Sequence, residues 1–381
     1  MGKNNQAVFV VFSDDWGVHP SSCQHLFKRI AEKHEVIWVN TVGMRLPTVS
    51  AYDIKKIFTK LVKWFIPVTI VNGLKLTVYN PVMLPFSNIK LVRGINKFFL
   101  TNGLKSLLAS TRAEKVTILT TVPNISDILD SFPKATVVYY CVDDFTQWPG
   151  LMHDLVIQME QELLTKTNIF IAASKKLLEL KGSGCKKSYV LTHGVDTAHF
   201  SRREIAHTLA NLKKPIVGFY GLIDERVDLD LISYLASQRP SWTIAMIGKE
   251  AADTSRLKNI KNIVFTGEVS YNDIPSYVNG FSVCLLPYKI SGCTITISPL
   301  KLKEYLASGK PVISADIPGV SEYKDFICLA INREDFLTGI EGLLQNDSPE
   351  KAVQRRKLVE KESWENKAQQ MLACMEENNA I

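Results

Sequence analysis

No apolar run in this chain of 381 residues approaches the roughly 18 to 20 needed to cross a bilayer. The longest candidate, residues 64–71, is interrupted by Pro67, so a membrane span is not expected. The N-terminus lacks an apolar signal core and a small-residue cleavage site, and Gln6 spoils a myristoylation reading of Met1-Gly2. The expectation is a cytoplasmic location. The seven cysteines, Cys23, Cys141, Cys185, Cys284, Cys293, Cys328 and Cys374, are odd in number and show neither Cys-x-x-Cys nor a Cys/His metal spacing. They read as reduced core thiols, not as a disulfide framework or a zinc site. Gly-x-Gly-x-x-Gly is missing too: Gly182-Ser183-Gly184 leads to Lys187 where the third glycine should stand, which argues against dinucleotide binding. Finally, residues 54–113 contain no Asp or Glu at all.

That acid-free stretch carries ten basic residues: Lys55, Lys56, Lys60, Lys63, Lys75, Lys90, Arg93, Lys97, Lys105 and Arg112. Residues 1–200 hold 23 Lys and Arg against 15 Asp and Glu, whereas residues 201–381 hold 22 against 23, so the net charge of +7 belongs to the first half. Within the stretch, Ile54, Ile57, Phe58, Leu61, Val62 and Phe65 recur at helical spacing, with lysines on the other face and Trp64 beside them. The pattern describes a helix lying in a membrane interface or an ordinary surface helix packed on a domain core. Basic charge with Trp and Phe tilts the expectation toward an anionic membrane surface contacted through residues 54–113. No nucleic-acid motif accompanies the charge, and a nucleic-acid partner is not expected.

With 46% hydrophobic residues, the chain has enough apolar material for two cores. Short β-rich runs at residues 7–12, 36–39, 116–119, 137–141 and 169–172 alternate with helical patterns such as residues 23–34 and 151–165. This alternation predicts a parallel sheet with helices on both faces. A polar, basic segment from Phe200 to Lys214 reads as a linker, and a second series follows. Its strands are expected at 216–220, 243–247, 263–265, 283–286, 312–314 and 327–329, with helices near 228–237, 274–280 and 299–308. The expected division is 1–200, 201–361 and a terminal helix in 362–381.

The richest stretch is residues 298–313, SPLKLKEYLASGKPVI. Ser298 suits an N-cap and Pro299 the first helical position, which points the free N–H groups around Leu300 at an anion. Lys301 adds positive charge, and Glu304 lies three residues on, on the same side of the helix. Glu304 is placed to accept hydrogen bonds from ribose hydroxyls while Lys301 holds a diphosphate. Gly309 ends the helix and Pro311 prevents its continuation. The competing reading is a plain amphipathic helix with a normal C-cap.

This stretch resembles the C-terminal signature of GT-B glycosyltransferases of the large family-4 type: an acid, seven residues, a second acid, then Ala-x-Gly-x-Pro-Val. Glu304 matches the second acid, while Thr296 stands at the first. The resemblance runs from residue 7 to 376 and implies an α/β GT-B fold, with two Rossmann-like doubly wound domains facing a central cleft. Residues 13–40 resemble the first strand-loop-helix-strand, whose loop implies acceptor-side roles for Asp14, Trp16 and His19. VVYYCVDDFTQW, residues 137–148, resembles the catalytic segment of xanthan-type glucuronosyltransferases, with Asp143 as general base. Asp144 beside it caps a turn or raises the pKa of one member of the pair. VLTHGVDTAHF, residues 190–200, resembles the family's hinge, and His193 approaches the donor or is structural. VGFYGLIDERVDLD, residues 217–230, corresponds to the phosphate-binding segment, with Leu222 at the usual Arg position and Arg226 one residue from the usual Lys. Backbone near Gly267 is expected to read the base.

Asp228-Leu229-Asp230 matches the Asp-x-Asp of metal-dependent transferases in letters, but it opens an amphipathic helix where acids favour the N-terminus. No metal or cofactor is therefore expected. The resulting expectation is sugar transfer from a nucleoside diphosphate, UDP in the first instance, to a glycan or lipid-linked acceptor in surface polysaccharide assembly. The protein would work peripherally on the inner face of the cytoplasmic membrane. Two alternatives stay open at this point: a non-catalytic, partner-binding GT-B subunit and a UDP-sugar 2-epimerase of the same fold.

Overall fold

Strands built from uninterrupted apolar residues have no face to turn to water, and the β-rich runs of this chain fold accordingly. In the computed structural model, which describes residues 7–18, 20–40, 66–84, 88–148 and 150–381, all seven residues of β1 (Ala7–Ser13) are buried. The chain divides into two compact units, residues 1–192 with 367–381, and residues 193–366. The division falls at Thr192/His193, where the sequence alone suggested 200/201.

The first unit is an eight-stranded sheet. β1 is flanked by β2 (Glu35–Asn40) and β5 (Lys115–Thr120), and β6 (Thr136–Cys141), β7 (Ile169–Ala172) and β8 (Ser188–Val190) continue it on one side. On the other side β2 pairs with β4 (Leu76–Tyr79), which pairs antiparallel with the edge strand β3 (Val68–Val71); all other pairings are parallel. Helices α1 (Ser22–Ile30), α2 (Lys90–Ser110), α3 (His153–Lys166) and α4 (Lys175–Lys181) connect the strands. Ser21 caps α1 by accepting from Gln24 N–H, and Ser174 caps α4 in the same way.

The β3–β4 hairpin, α2, α4 and β8 were not foreseen. β3 is largely exposed, and α2 lacks the single apolar stripe that marks a surface helix. The amphipathic pattern of residues 54–65 lies outside the described residues. Among the described residues no helix is long and apolar enough to cross a membrane.

The second unit is a six-stranded, wholly parallel sheet in the order β11 (Ile263–Gly267), β10 (Thr243–Ile247), β9 (Ile216–Tyr220), β12 (Val283–Leu286), β13 (Val312–Ala315), β14 (Cys328–Ala330). The order turns back between β9 and β12, the kind of switch point at which open α/β sheets bind ligands beyond their carboxyl ends. Around it lie α5 (Leu229–Gln238), α6 (Ile274–Gly280), α7 (Leu300–Ser308), α8 (Arg333–Asn346) and α9 (Pro349–Val359). The expected linker contains a short helical turn, His207–Ala210, whose Leu209 is buried in the core of this unit. Helix α10 (Trp364–Glu377) starts in the second unit, and from Lys367 onward its residues belong to the first.

Candidate functional site

Three neighbouring strands of the second sheet each run into a glycine with positive φ. Gly221 follows β9 at +132°, Gly248 follows β10 at +135°, and Gly267 closes β11 at +72°. Side-chain-bearing residues avoid this region, so the chain turns at the carboxyl edge of the sheet because glycine stands at all three places. The turns are stitched together: Gly221 N–H donates to the Ile247 carbonyl at 2.8 Å, and Gly248 N–H to the Gly267 carbonyl at 2.9 Å. A Cβ on Gly248 would stand 2.1 Å from the Gly221 carbonyl oxygen, which leaves no room for any other residue. A Cβ at Gly267 would meet nothing within 4 Å, so that turn faces open space.

Lys301 comes over this edge from the start of α7. A Cβ on Gly221 would lie 2.1 Å from its Cε, and its Nζ stands 5.9 Å from the centre of the Phe219 ring and 6.0 Å from that of Tyr220. Among the described residues Lys301 makes no ion pair. Helix α7 begins at Leu300, with Pro299 at the N-cap (φ −71°, ψ 104°) and no side-chain cap. This corrects the expected assignment of Ser298 to the N-cap and Pro299 to the first turn. Proline has no N–H and cannot cap with a side chain, so the first-turn amides are left without a side-chain acceptor. The preceding loop is held from behind by Gly319, whose Cβ would meet the Ile297 carbonyl oxygen at 2.1 Å.

Glu304, one turn further along α7, is only 4% exposed, and burial alone pushes its carboxyl up to about 8. Its neighbour Lys303 is anchored deep in the unit, donating to the His193 carbonyl at 2.5 Å and pairing with Glu362. His193 is thereby fixed through its backbone. Val195 pairs with Ser363, and a Cβ on Gly194 would stand 2.7 Å from the Trp364 ring, so the hinge glycine is set by packing against Trp364. Asp196 caps the turn Thr197–Phe200, and His199 stacks on Tyr271 with centroids 4.7 Å apart.

Arg226 is placed otherwise than a free phosphate ligand. Its guanidinium lies on Asp224, with Nη2 to Oδ2 at 2.7 Å and Nε to Oδ2 at 3.0 Å. Thr296, at the position of the first acid, is buried and donates to the Cys293 carbonyl at 3.0 Å. The Asp-x-Asp pair is engaged as well: Asp228 caps α5 by accepting from Asp230 and Leu231 N–H, and Asp230 pairs with Arg256 at 2.6 Å. Among the described residues no group of three or more His, Cys, Asp or Glu is disposed to hold a metal ion.

In the first unit, Asp14 organises the loop after β1. Its carboxylate accepts from Ser13 Oγ at 2.8 Å, Ser21 Oγ at 2.7 Å and the Gln24 amide, while its carbonyl accepts from Trp38 Nε1 at 2.9 Å. Trp16 N–H donates to Asn40 at 2.9 Å and its ring meets Trp38 edge-on at 4.9 Å. His19 lies outside the described residues. Asp143 follows β6 at the carboxyl edge and is half-buried; its carbonyl accepts from the Cys141 thiol at 3.4 Å.

Its neighbour Asp144 has a different part. It is buried, pairs with Lys181 at 2.7 Å and caps the turn Phe145–Gln147, and Lys181 also reaches Glu160 at 2.6 Å. Burial works to raise the Asp144 carboxyl, but hydrogen bonds from Lys181 and Thr146 outweigh it and hold the pKa below the ordinary value. The expected rise in this aspartate pair is therefore not found at Asp144, because the balancing lysine comes from α4, 37 positions along the chain.

Gly221, Gly248, Lys303 and Lys181 were not picked out from the sequence. For the glycines a signal exists: Tyr-Gly, Ile-Gly and Thr-Gly close three successive apolar runs.

Residues 214–346 match the family described as glycosyl transferases group 1. The matched residues lie within the second unit. Over 280 residues the chain is 24% identical to a putative teichuronic acid biosynthesis glycosyltransferase, TuaH, of Bacillus subtilis, covering 67% of this chain and 70% of that protein. Among solved structures, sucrose-phosphate synthase from Thermosynechococcus elongatus aligns at a TM-score of 0.69 and 13% identity, over 98% of this chain and 99% of that one. The trehalose-6-phosphate protein of E. coli bound with UDP-2-fluoro glucose aligns at 0.70 and 9% identity, over 97% and 98%. The fold is GT-B, two Rossmann-like units in one chain.

Proposed function

We propose that the protein transfers a sugar from a nucleoside diphosphate, in the first instance UDP, to a glycan acceptor that is lipid-linked or held at a membrane. The observation that carries this reading is the glycine-turned edge of β9, β10 and β11 with Lys301 and the uncapped start of α7 standing over it. Backbone N–H groups at a helix start and an unpaired ammonium are suited to a diphosphate, whose charge grows on the leaving group as the glycosidic bond breaks. The solved neighbour that holds UDP-2-fluoro glucose supports the donor class, and the teichuronic acid relative supports a polymer acceptor.

In this reading Glu304 takes the ribose hydroxyls and the backbone at Gly267 reads the base. Ser298, Pro299 and Leu300 shape the diphosphate end, and His193 adjoins it. Arg226 acts only indirectly, since Asp224 holds its guanidinium. Asp143 is the general base that takes the acceptor hydroxyl's proton, and Asp14 and Trp16 line the acceptor side. Donor binding needs no metal, because the Asp-x-Asp carboxylates are spent on a helix cap and an ion pair.

Thermal stabilisation by UDP, GDP, ADP, TDP and CMP, each with and without EDTA, tests the reading. One nucleoside diphosphate at about 100 times its dissociation constant should add roughly 2.7 kcal/mol, insensitive to EDTA. No shift with any of them would sink the donor assignment. An Asp143→Asn variant that keeps both UDP binding and full turnover would sink the base assignment alone.

A further inference from the structure

Helix α2 presents a buried face and, apart from it, an exposed apolar one. Asn96, Leu100, Thr101 and Leu104 form the buried one. Leu91, Ile95, Phe98 and Phe99 recur at helical spacing on another, and there Leu91 is 74%, Phe98 63% and Phe99 48% exposed. Such residues along one stripe are not the scattered surface apolars that need no explanation.

Exposed apolar residues stand on the edge strand as well. Gly103 of α2 lies against the Tyr79 hydroxyl, where a Cβ would come within 1.9 Å, so the helix packs on the face of β4 that carries Tyr79. Val68 is the antiparallel partner of Tyr79 and Ile70 that of Thr77, and directly opposed residues share a face. Val68 and Ile70, the latter 73% exposed, therefore stand on the same side of the sheet as α2. Along the opposite flank of the stripe stand the exposed Lys90 and Lys105, neither of which makes an ion pair among the described residues, whereas Lys97 is half-buried and lines a cavity with Arg93, Asn96 and Asp127. No acid occurs anywhere between residues 54 and 113 to offset them.

We propose that the exposed face of α2 with the edge strand β3 docks this protein on an anionic lipid bilayer. Aromatic and aliphatic side chains would enter the boundary between headgroups and acyl chains, and Lys90 and Lys105 would lie along the phosphates with their stems on the apolar surface. Charge complementarity selects this occupant. A second copy of the chain would set unpaired lysines against one another, whereas an acidic lipid surface attracts them. The proposal deepens the acceptor side of the reading above, on which it rests for its purpose but not for its test.

Flotation of the full chain with vesicles of 70% phosphatidylcholine and 30% phosphatidylglycerol, against pure phosphatidylcholine, at low and high salt, decides the matter. The expected result is binding to the acidic vesicles at low salt that falls steeply with added salt. Lys90→Gln and Lys105→Gln should each weaken it roughly fivefold. Leu91→Ser with Phe98→Ser should abolish it while the far-ultraviolet circular dichroism and the melting temperature without ligand stay those of wild type, which shows that the variant is folded whether or not UDP binds. Equal binding to both vesicle types, binding by the serine variant as strong as wild type, or a dimer that the serine variant dissolves would each overturn the proposal.

Discussion

Glu304 is the residue whose chemistry is most exposed to test, because nothing but burial raises its carboxyl to about 8 from an ordinary 4.5. A proton held in the folded state and released in the unfolded one makes stability fall as pH rises between about 4.5 and 8, with no further loss above that. Urea unfolding across this range should show the decline in wild type, and Glu304→Gln should remove it. If ribose hydroxyls donate to the Glu304 carboxylate, the group must ionise as the nucleotide binds. Calorimetry of UDP binding at pH 7, in buffers of different ionisation enthalpy, should then report release of close to one proton, and the Gln variant should release none. Wild-type binding without proton release would mean that Glu304 does not meet the ribose as a carboxylate. The same scale holds the glycines. Gly248→Ala places a methyl group 2.1 Å from the Gly221 carbonyl oxygen at a φ that L-residues avoid. It should cost about 2 kcal/mol or more of stability together with most of the UDP affinity, whereas Gly267→Ala, with open space around it, should cost only backbone strain of about 1 kcal/mol.

Helix α4 shows how an element can matter more than its propensity suggests. It is seven residues long, too short to be stable alone, yet its last residue Lys181 holds Asp144 after β6 and Glu160 of α3. Tyr139 adds a hydrogen bond to Glu160 at 2.6 Å, which completes a buried chain of four side chains beneath the Asp143 segment. Burial opposes the Lys181 ammonium, but Glu160 and Asp144 together hold its pKa above the ordinary value. Lys181→Met would leave two carboxylates facing each other without their cation and should destabilise the protein by about 3 to 5 kcal/mol. Denaturant melts of the first unit, followed by tryptophan fluorescence, would read this, and a loss below 1 kcal/mol would mean that the pair is replaceable by packing. Asp144 also gives the wild-type pair a pH signature: with its pKa held down, its contribution is present above about pH 4 and is lost as pH falls through the folded value. The sequence showed the apolar strands of this unit because burial on both faces leaves a continuous pattern. It does not show a lysine 37 positions away completing an aspartate's environment, and for that reason it leaves open a raised pKa in the Asp143-Asp144 pair where the structure holds Asp144 down. Helix α2 escaped for a related cause, since a helix with one face on the sheet and another on the surface has no single stripe to recognise.

At the scale of the whole chain, the two sheets and the order of their motifs were legible from alternating apolar runs, and the second sheet was placed nearly strand for strand. The chemistry at its edge was legible only in part. Lys301 and Glu304 could be read because helix spacing and charge are written in residue identities, whereas the fit of Gly221 under Lys301 depends on a backbone angle and a close approach that spacing does not reveal. This difference sets an expectation for where a nucleotide is felt. Amide hydrogen exchange with UDP alone should show protection at the turns after β9, β10 and β11 and in the first turn of α7, where backbone N–H groups carry the proposed contact. The central strands of the first sheet should exchange as before, since the proposed donor residues other than the acceptor-side group all lie between positions 193 and 304. Protection that appeared first around Asp14, Trp16 and β6, with the α7 start unchanged, would put the nucleotide on the other unit and reverse the assignment of donor and acceptor sides.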